Sequence, residues 1–266
     1  MAGDSPLDNP VWHSLIGPRR DLGERHGRAA RFDPAVSVFA GLPDDPDPAA
    51  WANLAELAAP DGDAVILRHT IDVPPGWEVP FRLDGVQMVA GPAFELAHDG
   101  EGFTPEPLTE ADADDAMALV AAAPPGPFLP GTLRCGGYWG VRIDGRLVAM
   151  AGERLRIDGH TELSAVCTHP DVRGRGLAAL LTRRVVAAIR GRGEEAFLHV
   201  AASNTTAIRL YERLGFVPRT TFEVADLRPA AAAVTGAMAP ARPPPHRSPA
   251  HPGSTTTSPR PVRTSG

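Results

Sequence analysis

The sequence predicts an α/β (α+β) fold with a mixed, mostly antiparallel central sheet flanked by helices. Two Asp-Gly pairs separate three strand-like runs between residues 137 and 169, which is typical of an antiparallel meander. Over residues 162–216, a strand, a glycine-rich turn and a helix precede a second strand and helix. Strands joined by helices favour a layered α/β arrangement, so we expect the sheet to combine hairpin connections with helical ones.

The predicted meander consists of the runs GYWGVRI, RLVAMAGERLRI and HTELSAVCTH. They are joined by Asp144–Gly145 and by Asp158–Gly159. Asp-Gly favours two-residue hairpin turns of type I′, because both central positions of that turn need a positive φ. We therefore expect tight turns at both pairs.

Two helices are predicted beyond the meander. In the first, which follows Gly174, apolar residues recur at helical spacing, namely Leu177, Leu180, Leu181, Val185, Ala188 and Ile189. Gly191 and Gly193 are expected to end that helix. After the strand EAFLHVAA, Asn204 opens a second helix with an apolar side, which Gly215 ends.

The chain divides into three predicted regions. Residues 1–100 form a small N-terminal α/β region, with short helices near 12–16 and 51–57 and strands near 64–73 and 85–90. Residues 101–228 form the main domain, in which Thr109 is a plausible helix N-cap. In residues 229–266 Pro, Ala, Ser, Thr and Arg dominate, so this tail buries too little apolar surface to offset chain entropy and is predicted to be disordered.

Charge limits the classes of function. The net charge is −6, and residues 229–266 contain four of the 26 arginines and no acids. Residues 1–228 therefore carry 22 basic and 32 acidic residues, a charge of −10. General nucleic-acid binding needs a basic surface and is not expected. An acidic body can attract cationic amines, although it can equally serve solubility alone.

The expected location and metal content follow from sequence features that are missing. No apolar run approaches the ~18 residues of a membrane span, and the N-terminus has no apolar signal region. We expect a cytoplasmic protein with no membrane association. Cys135 and Cys167 are too few for a disulfide framework. No metal is expected, because metal-ligand spacing is absent among His13, His26, His69, His98 and His160.

The glycine turn at Gly174 and Gly176 is a candidate anion site. It follows a strand and opens a helix, so unpaired N–H groups and the helix dipole can hold an anion such as a pyrophosphate. A turn that only reverses the chain is the alternative. The Gly-Lys-Ser/Thr ending of a Walker loop is missing, and the antiparallel strands before the turn disfavour a dinucleotide fingerprint.

With its flanking residues, this turn resembles the signature of the GCN5-related N-acetyltransferase (GNAT) family. The family pattern is Arg/Gln-x-x-Gly-x-Gly/Ala, and residues 173–178 read Arg-Gly-Arg-Gly-Leu-Ala after His169-Pro170. The second half of the pattern is an Asn after the next strand and a Tyr seven residues later. Here these are Asn204 and Tyr211 in NTTAIRLYERLGF. The resemblance covers about residues 105–227.

The resemblance implies that acetyl-CoA binds in a V-shaped gap between two splayed strands. Residues 166–168 would pair with the pantetheine arm, and residues 174–179 would hold the pyrophosphate. The full set implied for the cofactor is Val166, Cys167, Thr168, Arg173, Gly174, Arg175, Gly176, Leu177, Ala178, Ala179 and Asn204. Tyr211 would protonate the departing CoA thiolate, for which a phenol with a pKa near ~10 is suitable.

Three side chains are candidates for the general base. An amine acceptor must lose a proton before or during transfer, so a base or an ordered water must lie close. His199 is the first candidate, because its ordinary pKa is near ~6.5 and similar ribosomal-protein N-terminal acetyltransferases have a glutamate at this position. Glu162 and Glu153 are rivals, and His199 can also be a packing residue. Cys167 is interpreted as a small core residue, since this family forms no acyl-enzyme.

We therefore predict an N-acetyltransferase that moves an acetyl group from acetyl-CoA directly to a small-molecule amine or a protein N-terminus. Residues 1–100 would then be a degenerate GNAT half-domain that supplies a missing wall. Two rivals stay open, namely a non-catalytic acetyl-CoA-binding sensor or scaffold and a structural protein that has lost CoA binding. The sequence also leaves open whether two copies form a homodimer.

Overall fold

Eleven strands and five α-helices make up the described part of the chain, residues 5–59, 62–96 and 102–230 of this computed structural model. The strands are β1 Gly23–His26, β2 Ala29–Phe32, β3 Phe39–Gly41, β4 Ala64–Arg68, β5 Trp77–Ala90, β6 Glu106–Leu108, β7 Tyr138–Ile143, β8 Arg146–Ile157, β9 His160–Thr168, β10 Glu195–Ala201 and β11 Phe216–Pro229. The helices are α1 Pro10–Ile16, α2 Pro48–Ala58, α3 Ala113–Ala122, α4 Leu177–Arg190 and α5 Thr205–Leu214. Short 3₁₀ helices include Pro6–Asp8 and Pro130–Cys135.

All the strands belong to one sheet, in the order β1-β2-β3-β4-β11-β5-β10-β9-β8-β7-β6. Among the described strands, β3 with β4 and β9 with β10 are parallel, and each of these pairs is joined through a helix. The other neighbours pair in antiparallel fashion. The predicted mixed, mostly antiparallel sheet flanked by helices is confirmed.

The meander β7–β8–β9 forms as predicted, but its two turns differ. Asp144 and Gly145 have φ values of 51° and 79°, as type I′ geometry requires. At the second turn Gly159 has a φ of 70°, whereas Asp158 is not in the positive-φ region. The prediction of a type I′ turn is therefore wrong at Asp158–Gly159, where only the glycine takes the left-handed conformation.

The strand β5 joins the N-terminal region to the rest of the chain. It pairs with β10 over residues 85–89 and with β11 along most of its length. The last strand, β11, in turn pairs with β4. The sheet is thus continuous across residue 100, and the division into regions there stays a prediction. Of the predicted tail, residues 231–266 lie outside the described residues.

The two faces of β10 are covered by different elements. Leu198 and Val200 pack in one cluster with residues of α4 and with Tyr211. Phe197 packs in another cluster with Trp12 of α1. Because successive strand residues point to opposite faces, His199 lies on the Phe197 side, and the two rings contact edge to face at 5.6 Å. The N-terminal region therefore covers the face of the sheet that holds His199.

Because strands of both regions pair within one sheet, we expect that the main domain does not fold alone. A fragment of residues 102–230 lacks β5, so β10 and β11 lose the strand between them and expose unpaired backbone groups. We expect the fragment to aggregate or to show no cooperative thermal transition by circular dichroism, whereas residues 5–230 unfold cooperatively. A cooperative transition of the fragment near that of the longer chain would contradict the shared sheet.

Candidate active site

The strands β9 and β10 are neighbours only at their beginnings. Their pairing ends at Glu162 and Phe197. Beyond this point the register of β9 with β8 shifts between Ser164 and Cys167, which marks a bulge. Ala165 in the bulge has a φ of 53°, a conformation that is uncommon outside glycine. Since a bulge bends its strand, β9 turns away from β10 and a gap opens between them.

A cleft of about 570 Å³ lies at this gap. Its walls are the end of β9, the loop and first turn of α4, the start and one face of α5, and the end of α3. The lining residues are Ala123, Pro124, Val166, Cys167, Thr168, Val172, Arg173, Gly174, Arg175, Gly176, Leu177, Ala178, Ala179, Asn204, Thr206, Ala207, Leu210, Tyr211 and Arg213. The structure thus brings together all eleven residues predicted for the cofactor, and Tyr211 with them.

The charge of the cleft differs from that of the chain as a whole. Its charged lining residues are Arg173, Arg175 and Arg213, and no Asp or Glu occurs among the described lining residues. A concave surface lined by one sign of charge concentrates ligands of the opposite sign. The cleft is therefore suited to an anion, although the chain carries a net charge of −6.

The N-terminus of α4 offers a cradle for that anion. Gly174 and Gly176 have φ values of 79° and 76°, and a Cβ at either position would meet no heavy atom within 4 Å. No side chain caps this helix, so the N–H groups of its first turn have no side-chain acceptor. Together with the helix dipole, these groups fit a phosphate or pyrophosphate.

Helix α5 places the two other motif residues at the cleft. Asn204 caps the helix, because its Oδ1 accepts a hydrogen bond from the N–H of Ala207 at 3.1 Å. Tyr211 lies seven residues after Asn204 in the same helix, is 8% exposed, and packs edge to face on Phe216. Burial, with a smaller effect from Cys167, raises the pKa of Tyr211 above its ordinary value. The phenol therefore keeps its proton at neutral pH.

Cys167 is a wall of the cleft rather than a nucleophile. Burial raises the pKa of its thiol to about 12, although a backbone hydrogen bond from Met150 partly opposes this. The reactive form of cysteine is the thiolate, which is scarce at neutral pH when the pKa is raised in this way. This agrees with the interpretation of Cys167 as a core residue.

His199 and Glu162 do not line the cleft but form a buried pair on the other face of the sheet. The Nδ1 atom of His199 is 2.7 Å from Oε1 of Glu162, and the side chains are 2% and 0% exposed. Arg154 donates to both carboxylate oxygens at 2.8 and 2.6 Å. Burial alone would raise the pKa of Glu162, but the charge and hydrogen bonds of Arg154, with the bond to His199, lower it to about 2.

These contacts distinguish the candidate bases by how readily each one can accept a proton. Glu162 has both oxygens engaged and is a weak proton acceptor at neutral pH, so it acts as an anchor for the imidazole. Burial lowers the pKa of His199 despite the opposing effect of Glu162, so the ring is neutral and keeps one basic nitrogen. Glu153 is 3% exposed, lies outside the cleft lining, and is 3.0 Å from Arg192.

Comparisons with known proteins bear on this geometry. The family described as FR47-like protein matches residues 138–224. The mycothiol acetyltransferase of Streptomyces coelicolor is 30% identical over 249 residues, which cover 83% of this chain and 72% of that protein. A crystal structure described as an acetyltransferase from the GNAT family of Novosphingobium aromaticivorans is 42% identical, with a TM-score of 0.77, over 86% of this chain and 100% of that one. This chain belongs to the GCN5-related N-acetyltransferase family.

As a GNAT protein, the chain is an acetyltransferase, and its family uses acetyl-CoA as co-substrate. The GNAT fold is also shared with a GCN5-related N-acetyltransferase of Kribbella flavida, at 23% identity and a TM-score of 0.54, over 80% of this chain and 93% of that one. The cleft fits such a co-substrate because it combines an open glycine cradle, a positive lining and a buried phenol.

Several residues that line the cleft or contact the buried pair were not predicted from the sequence. Thr206, Leu210 and Arg213 line the cleft from α5 at helical spacing, so the helical periodicity that includes Tyr211 could have indicated them. Ala123 and Pro124 carry no local signal, because tertiary packing alone brings the end of α3 to the cleft. Arg154 was overlooked since its partner depends on strand pairing.

Two absences concern the described residues, 5–59, 62–96 and 102–230. In that part of the chain, no helix combines the length and the apolar character needed to cross a membrane. Over the same residues, no group of three or more His, Cys, Asp or Glu side chains could hold a metal ion. The expectation that no metal takes part stays a prediction.

The buried Glu162 predicts a specific stability defect. Glu162→Gln leaves Arg154 without its carboxylate, and breaking a buried pair in this way typically costs about 3–5 kcal/mol of unfolding free energy. Because the pKa of Glu162 lies below its usual value of 4.5, its stabilising effect in the wild type is lost as pH falls from that value toward about 2.

Urea unfolding at pH 7 and across the acid range tests this, with the exposed Glu110→Gln as control. We expect a large loss in Glu162→Gln at pH 7 and a flatter acid dependence. Equal unfolding free energies for the two variants at pH 7 would contradict the network.

Proposed function

We propose that this GNAT enzyme transfers an acetyl group from acetyl-CoA directly to an amine, with Tyr211 as general acid and His199 as general base. The observation that carries the proposal is the composition of the cleft. Its lining combines the glycine cradle, three arginines, no described acid, and a buried tyrosine that stays protonated at neutral pH. Acetyl-CoA has matching chemistry, since it is polyanionic and its reaction releases a thiolate.

Binding is assigned to backbone and arginine groups. Residues 166–168 lie beyond the last β9–β10 pair, so their backbone groups facing the gap can pair with the pantetheine arm. The first turn of α4 would hold the pyrophosphate, with Arg173, Arg175 and Arg213 adding positive charge. Asn204 would contact the co-substrate through its amide nitrogen, because its oxygen caps α5.

The proposed chemistry moves two protons. The bound co-substrate supplies an activated acetyl thioester. As the acceptor nitrogen bonds to the carbonyl carbon and the carbon–sulfur bond breaks, Tyr211 gives its proton to the departing sulfur. His199, on the face of the sheet opposite the cleft, would take through Nε2 the proton that the acceptor nitrogen loses, once the Gln87 amide moves away from that nitrogen. Glu162 holds the imidazole in place through Nδ1.

The acceptor is a small-molecule amine or a protein N-terminus. The curated relative from Streptomyces coelicolor is named a mycothiol acetyltransferase, so an amine of the mycothiol type takes first place in an acceptor screen. The acidic surface of the chain also favours a cationic amine. A cytoplasmic location is part of this proposal, and the homodimer is left to measurement.

The two tyrosines of the chain provide a matched test of the acid. We expect Tyr211→Phe to lower turnover by at least about 100-fold, the usual effect of a general acid, while acetyl-CoA still binds. Thiol release with a panel of primary amines measures turnover.

Tyr138→Phe is the control, because Tyr138 is 1% exposed and its hydroxyl has no hydrogen-bond partner among the described residues. Its turnover should equal that of the wild type. Wild-type turnover in Tyr211→Phe would remove the acid role, and binding without turnover in the wild type itself would favour a sensor.

A further inference from the structure

Gln87 links the N-terminal region to His199. It is the only glutamine in the sequence, lies on β5 and is 1% exposed. Its Nε2 atom is 3.0 Å from Nε2 of His199, the ring nitrogen that does not face Glu162. A buried amide in contact with a proposed base affects where that base holds its proton.

Two independent partners fix the orientation of the Gln87 amide. Its Nε2 lies 2.7 Å from the carbonyl oxygen of Leu7, which can only accept a hydrogen bond. Its Oε1 lies 2.9 Å from Nη1 of Arg219, which can only donate. The NH₂ group must therefore face Leu7 and His199, and the oxygen must face Arg219.

This orientation determines the tautomer of His199. Because the amide presents an N–H to the ring, Nε2 of His199 must be the unprotonated, accepting nitrogen. The ring proton then sits on Nδ1, where the Glu162 carboxylate accepts it at 2.7 Å. Donor and acceptor roles agree at every contact, so neither ring nitrogen faces a like partner.

We propose that Gln87 is a positioning residue that, together with Glu162, holds His199 as the Nδ1–H tautomer with Nε2 as the basic nitrogen. The proposal rests on the base role of His199 in the proposed function. It gives the N-terminal region a part in proton transfer, because Gln87, Leu7 and Asp8 all belong to that region. Leu7 accepts a hydrogen bond from Gln87, and Asp8 accepts one from Arg219.

The contacts extend into one chain of side chains across five neighbouring strands. In spatial order they are Arg154 on β8, Glu162 on β9, His199 on β10, Gln87 on β5 and Arg219 on β11. Arg219 ends the chain by donating to Asp8 at 2.7 Å. Arg68 and His69 also border this site, since both line a small depression with Gln87 and His199.

The arrangement also restrains protonation in the resting enzyme. A proton on Nε2 would face the NH₂ group of Gln87, and the amide cannot rotate without losing Leu7 and Arg219. Nε2 therefore accepts a proton from the acceptor amine only when the amide moves aside. A hydrogen-bond acceptor at position 87, in place of the NH₂ donor of Gln87, should therefore favour a proton on Nε2 of His199.

The test uses the full chain labelled with ¹⁵N in histidine, with His199 assigned by its loss in His199→Gln. At pH 7 we expect the wild-type signal to show a protonated Nδ1 and an unprotonated Nε2. In Gln87→Glu, Nε2 should become protonated, because a carboxylate oxygen now faces it. In Gln87→Leu, the Nε2 signal should move toward that of an imine nitrogen without a hydrogen bond.

Enzyme kinetics supply a second readout. A raised pKa of His199 in Gln87→Glu means that less of the ring is neutral at a given pH. The acid limb of the turnover profile should therefore move upward by at least about one pH unit, with about a tenfold loss per unit below the limb. The KM for acetyl-CoA should not change.

Asn53→Asp is the matched control, since the side-chain oxygen of Asn53 on α2 accepts a hydrogen bond from the N–H of Arg28, and a carboxylate keeps that role. It should leave the His199 signals unchanged. A wild-type Nε2–H tautomer, or wild-type signals in both Gln87 variants, would overturn the role of Gln87 alone. Wild-type turnover in His199→Gln would overturn the base assignment and this inference with it.

Discussion

The separation of β9 from β10 is the constraint on which the rest of the site depends. Parallel pairing stops after Phe197, and the bulge at Ala165 carries β9 away. This leaves backbone groups of residues 166–168 at the edge of a gap, and it opens the N-terminus of α4 and one face of α5 to the same space. Without that bulge, continued pairing of β9 with β10 would close the gap.

The opposite face of the sheet meets a different requirement. Charged groups buried there, chiefly Glu162 and Arg154, need complete hydrogen bonding to be tolerated. The N-terminal region provides part of it, because the Gln87 amide donates both to the Leu7 carbonyl and to the His199 ring that binds Glu162. The region thus contributes more than a wall, since it shares the sheet and the buried polar chain with residues 102–230.

The local features of the site were predictable from the sequence. The glycine turn, α4, α5, Asn204 and Tyr211 lie between residues 174 and 214, and helix N-termini, caps and periodicity are local properties. The contact of Gln87 with His199 was not, because 112 residues separate them and strand order alone brings them together. The strands β1 to β3 were missed because three or four residues give no measurable alternation.

Calorimetric titration of acetyl-CoA measures directly whether the gap at α4 binds this co-substrate. Gly176→Asp places a carboxylate in the cradle, whereas Gly193→Asp makes the same change just beyond the other end of α4, where φ is 78° and the space is equally open. We predict saturable binding to the wild type and to Gly193→Asp, and none to Gly176→Asp. Equal affinity in all three proteins, or no binding to the folded wild type, would contradict the account.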